Sequence, residues 1–146
     1  MDARHKSDFY AWTMDQAALA RSRSSNAFDW DNVALELETL GKTESRELRS
    51  RFVVLLTHLL KWLIQPERQS RSWANTIANQ RDEITLHLAD NPSLKASEQD
   101  SFNAAYGLAR RMASTETDLD LDLFPLVPPF TLDEARQVDW LPPPAA

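Results

Sequence analysis

Several side chains near one predicted helix end have the types needed to move a proton or hold an anion. The stretch LLTHLLKWLIQPERQSRSW, residues 55–73, carries His58, Lys61, Arg71 and Trp73, and Arg51 lies two turns before His58. At about 100° of rotation per residue, Arg51, His58, Lys61 and Gln65 form a polar stripe on one flank of that helix. Histidine exchanges a proton near neutral pH, and a guanidinium stabilises negative charge. His58 borders the apolar side through Leu55 and Trp62, whereas Lys61 and Arg71 are expected at the periphery.

Two further groups complement this stripe. Arg81 has Ile77 four residues before it and Ile84 three residues after, so its stem must cross an apolar face. A partly buried guanidinium requires acceptors. Glu36 flanks Val33 and Leu40, while Glu38 points away from that face. The expectation is a structural network of Glu36, His58 and Arg81 that joins three helices and fixes their orientation without doing chemistry.

Other chemistries lack their residues. The chain contains no cysteine, which excludes disulfides, thiolate catalysis and cysteine-bound zinc. His5, His58 and His87 have no close ligand spacing, and neither HEXXH nor a repeated Glu-x-x-His occurs, so no metal is expected. There is no GxSxG elbow, and Gly41 and Gly107 cannot build a phosphate loop. Trp62 and Trp73 are expected to pack around the turn after Pro66, and no cofactor is expected.

The segment RFVVLLTH, with six residues between Arg51 and His58, resembles the arginine–histidine motif of HEPN-type ribonucleases. That resemblance implies proton transfer by His58 at a 2'-hydroxyl or leaving oxygen. Arg51 would stabilise phosphate charge, and no metal would be needed. RNA is a partner only under this alternative. A small-ligand sensor with a pocket beside His58 and Arg81 is a third reading.

The elements that must position these groups read as helices. A first helix spans about Asp8 to Arg21, capped by Ser7 or Asp8, with Phe9, Trp12, Gln16 and Ala20 on one face. Asp29 caps a second helix containing Trp30, Val33, Leu37 and Leu40, and Gly41 is expected to end it in a left-handed turn. A third runs from about Thr43 to Gln65, with Leu48, Phe52, Leu55, Leu59 and Leu63 as its core line and Pro66 as its stop. A fourth covers about Ser72 to Asp90, capped by Ser72. A fifth covers about Leu94 to Thr117, where Gly107 permits close packing. DLDLDLFPLVPPF alternates Asp and Leu but finds no strand partner, which suggests an extended strap. TLDEARQV then allows a short helix capped by Thr131, and Trp140 and Leu141 anchor the end.

The 146 residues suit one domain with a real core, and 42% hydrophobic residues with only two glycines favour helix over a loop-rich fold. The net charge of −6 gives no global attraction for nucleic acid. MDARHKSDFY has no apolar signal segment, and Thr57, His58 and Lys61 interrupt the longest apolar run, so the expectation is a cytoplasmic chain without a membrane partner.

The order of DFYAWT, LELETLGKTESRELRSR, LLTHLLKW, QPERQSRSWANTIANQR, DNPSL, Ala105–Arg110 and FTLDEARQVDWLP resembles the bacterial domain-of-unknown-function family numbered 29 over nearly all of residues 8–142. The resemblance implies an all-helical domain, common in cyanobacteria and proteobacteria, and carries no activity across. Glu36, Gly41, His58, Lys61, Trp73 and Arg81 stand in its recurring pattern, and Leu35 replaces a frequent acidic residue. The combined expectation is an all-α, compact multi-helix bundle of about five main helices with an extended C-terminal strap and a short terminal helix. One domain is expected over 8–142, with flexible ends at 1–7 and 143–146. The expected role is a non-catalytic structural or protein-interaction domain that can form a homodimer through the first or third helix.

Overall fold

Asp8 begins the first long helix by accepting the backbone N–H of Ala11 at 3.0 Å. In the computed structural model, which describes residues 2–144, the α-helices are α1 (Arg4–Ser7), α2 (Phe9–Ser22), α3 (Trp30–Ile64), α4 (Arg71–Asp90), α5 (Glu98–Thr117) and α6 (Leu132–Arg136). Short 3-10 turns cover Pro66–Arg68, Pro92–Ser97 and Leu121–Leu123, and no strand occurs among the described residues. The chain divides into two compact units, Met1–Thr43 and Glu44–Ala146, with the division inside α3. One domain over 8–142 was the sequence expectation.

Gly41 does not end a helix. It lies inside α3 without a positive φ, so the expected second and third helices are continuous. One glycine costs about 1 kcal/mol of helix propensity, too little to break a run of Leu, Glu, Lys and Arg that favours helix on both sides. Pro66 does act as a stop: Gln65 leaves the helical region at φ −127° and ψ 64° before the proline. Ser70, rather than Ser72, caps α4, accepting from the Trp73 N–H at 3.2 Å. The fifth helix begins later than expected, because Pro92 first opens a 3-10 turn through Ser97.

In the N-terminal unit, α1 and α2 accompany the first part of α3. Asp29 is the hub. Its Oδ2 accepts from the Trp12 indole at 3.0 Å, the Asn32 amide at 2.8 Å and the Asp2 backbone at 2.8 Å, while its own N–H donates to Gln16 Oε1 at 2.8 Å. Burial alone would raise the Asp29 pKa, but these donors outweigh it and hold the carboxyl at about 2. Residues 4–7 are helical, and the Asp2 backbone N–H donates to Asp29. Met1, Ala145 and Ala146 of the expected flexible ends lie outside the described residues.

In the second unit, the later part of α3 forms the core with α4 and α5. Leu48, Phe52, Leu55 and Leu59, spaced for one helical face, are fully buried with Ile77, Ile84, Phe102, Ala105 and Ala109. Each large side chain removed from water contributes roughly 1.5–3 kcal/mol. Gly107 is exposed, with open space where a Cβ would stand, so it serves no close approach.

The Asp–Leu stretch forms a strap, not a strand. Its backbone carbonyls have no sheet ladder, and side chains from the bundle take that place. Arg110 donates to Phe124 O at 2.8 Å and Leu121 O at 3.1 Å, and the Tyr106 hydroxyl donates to Pro125 O at 2.6 Å. Thr131 and Glu134 form a reciprocal capping box that starts α6.

Candidate functional site

The polar stripe of α3 exists, but its members have separate partners. His58 is half-buried, and its Nδ1 donates to the Val54 carbonyl at 2.8 Å, the bond available to a histidine that looks back one helical turn. This assigns the proton to Nδ1 and leaves Nε2 as an acceptor. Desolvation lowers the His58 pKa. The Val54 bond opposes that shift, Lys61 adds to it, and Glu116 opposes it. Lys61 lies 3.2 Å from Glu116 and over the Trp73 ring at 4.8 Å from its centre. Arg51 faces Glu47 at 3.4 Å and Glu83 at 3.7 Å, while Arg71 is exposed.

Glu36, His58 and Arg81 each have a partner of their own among the described residues. Glu36 pairs with His5, whose ring meets Trp12 edge-on at 4.7 Å. Arg81 is 5% exposed and donates through Nε to Ala135 O at 2.8 Å and through Nη2 to Trp140 O at 2.7 Å. Desolvation lowers the Arg81 pKa, with Asp139 acting in the opposite direction. Carbonyls of the C-terminal segment supply the acceptors that the buried guanidinium requires.

A second polar group escaped the sequence reading. Glu44 and Glu47 are one helical turn apart on α3, and Glu83 and His87 one turn apart on α4. One ligand atom from each of Glu44, Glu47 and His87 lies within 4.8 Å of the other two. The His87 side chain is 9% exposed. Its Nε2 is 2.8 Å from the Glu44 carbonyl and 3.6 Å from Glu44 Oε2, and its Nδ1 is 3.6 Å from Glu47 Oε2. Glu83, Asp90 and Asn91 line the concave surface beside them. The spacing Glu44-x-x-Glu47 and Glu83-x-x-x-His87 was visible, but the register that brings α3 against α4 was not.

The N-terminal unit has a different kind of surface. Trp12, Ala17 and Ala20 of α2 and Val33, Leu37 and Leu40 of α3 line an apolar crease. Leu37 is 64% exposed, Leu40 61% and Trp30 62%. No described helix is long and apolar enough to cross a membrane.

Helices without strands define an all-α protein among the described residues. The chain belongs to the family of the domain of unknown function DUF29, which it matches over residues 5–141. No curated protein and no solved structure matches it.

Proposed function

We propose that the chain is a non-catalytic helical interaction domain that self-associates through its N-terminal unit. The observation that carries this reading is an imbalance of apolar burial. Within Met1–Thr43, Trp12 is the one buried hydrophobic side chain among the described residues, whereas Phe9, Tyr10, Met14, Trp30, Leu35, Leu37 and Leu40 are exposed. A helical unit this small gains little stability from its own core, and pairing is a common remedy.

A second copy fits the surface because the same unit offers both a crease and protruding leucines beside it. Two such helix pairs related by a two-fold axis make a four-helix arrangement, in which each copy covers the other. Charge does not oppose the pairing: through Thr43 the sequence has five Lys/Arg and seven Asp/Glu, both signs interspersed. Arg51 beside Glu47 and Glu83 has its charge compensated, which favours the interaction role over phosphate chemistry.

The combined Leu37→Glu and Leu40→Glu variant tests the surface. Light scattering at matched concentration is expected to give a dimer for the natural chain and a monomer for the variant, with unchanged helical circular dichroism. Equal masses for the two proteins would overturn the assignment.

A further inference from the structure

We propose that Glu44, Glu47 and His87 bind one first-row divalent transition-metal ion, with Zn²⁺ as the best match. The histidine supplies the argument beyond a gathering of acids. His87 is nine-tenths buried, and the Glu44 carbonyl accepts its Nε2–H at 2.8 Å. That bond fixes the tautomer and turns the Nδ1 lone pair toward Glu47, as a backbone carbonyl commonly does for a metal-binding histidine. Among the described residues Nδ1 makes no hydrogen bond, and Glu47 Oε2 lies 3.6 Å from it. With the ring neutral, a cation between Nδ1 and the Glu47 carboxylate would bind both donors.

The distances suit that ion. Zinc takes nitrogen and carboxylate oxygen at about 2.0–2.2 Å, which places tetrahedral donors about 3.5 Å apart. The Nδ1–Glu47 separation of 3.6 Å is already a chelating bite. The widest spacing in the trio is at most 4.8 Å, and both glutamates are partly solvent-exposed, so small side-chain rotations close it. Imidazole with two carboxylates favours a borderline metal over Ca²⁺ or Mg²⁺, which prefer all-oxygen shells. Glu83, Asp90 and Asn91 line the concave surface beside the trio, and Arg51 neutralises part of the charge through Glu47 and Glu83. The ion would tie α3 to α4 within the second unit.

Calorimetric titration of the chelator-treated full chain with Zn²⁺ tests the site, and Co²⁺ absorption reports the ligand field. One equivalent is expected to bind saturably. Combined Glu44→Gln and Glu47→Gln substitutions are expected to weaken binding at least about tenfold. His5→Gln is expected to leave it unchanged. His87→Gln should abolish binding; because His87 is buried, the two exposed-side glutamine substitutions keep the test independent of its folding. Absence of saturable binding, or equal affinity in the Glu44→Gln/Glu47→Gln protein, would overturn the proposal. Mass measurements do not enter this readout, so its failure is distinct from a failure of self-association.

Discussion

Removal of Arg81 is expected to cost stability. Its guanidinium is buried and satisfies two carbonyls, Ala135 O and Trp140 O. Arg81→Met keeps much of the apolar stem but leaves both acceptors unpaired. Urea unfolding is expected to show a loss of about 2–4 kcal/mol; a change below about 0.5 kcal/mol would mean that the head is dispensable. His58 gives a pH signature instead. Its folded pKa lies below the ordinary 6.5 because the ring is desolvated. The unfolded chain therefore binds the proton more readily, and stability contributed by neutral His58 is present above pH 6.5 and is lost as pH falls through the lowered folded value. His58→Gln should flatten that part of the stability profile, measured as the difference in unfolding midpoint between the two proteins. An unchanged acid-side slope would contradict the assignment.

At the level of elements, the continuity of α3 makes a prediction opposite to that of a helix-ending glycine. Gly41 and Gly107 are both helical, and nothing lies within 4 Å of a Cβ built on either. Gly41→Ala and Gly107→Ala are each expected to stabilise the chain by about 0.5–1 kcal/mol in urea unfolding. Destabilisation by Gly41→Ala would restore a break at that residue. Much of the fold was legible where one local force dominates. The apolar spacing of Leu48, Phe52, Leu55 and Leu59 marked a face that is fully buried, although Leu63 of the same line is only half-buried; Pro66 ended its helix, and Thr131 marked the cap of α6. Gly41 misled because a local cost was read without the helical preference of its neighbours. The site was less legible. A helical wheel places Arg81 on an apolar face, yet the carbonyls that receive it come from residues 135 and 140. Likewise, the Glu44–Glu47 and Glu83–His87 spacings are local, whereas their meeting depends on the packing of two helices.

Across the whole molecule, the two units differ in how they obtain stability. Residues 44–146 enclose a broad apolar core and fasten the C-terminal strap with Arg81, Tyr106 and Arg110. The N-terminal unit relies on the Asp29 hydrogen-bond hub and leaves large apolar side chains in water. An exposed apolar crease is consistent with an interaction surface, and its unmet burial would give the proposed association a driving force. Sedimentation equilibrium of the natural chain from micromolar to millimolar concentration tests this account most directly. The expected mass rises with concentration toward twice the 16.7 kDa chain mass. A constant single-chain mass across that range would contradict it.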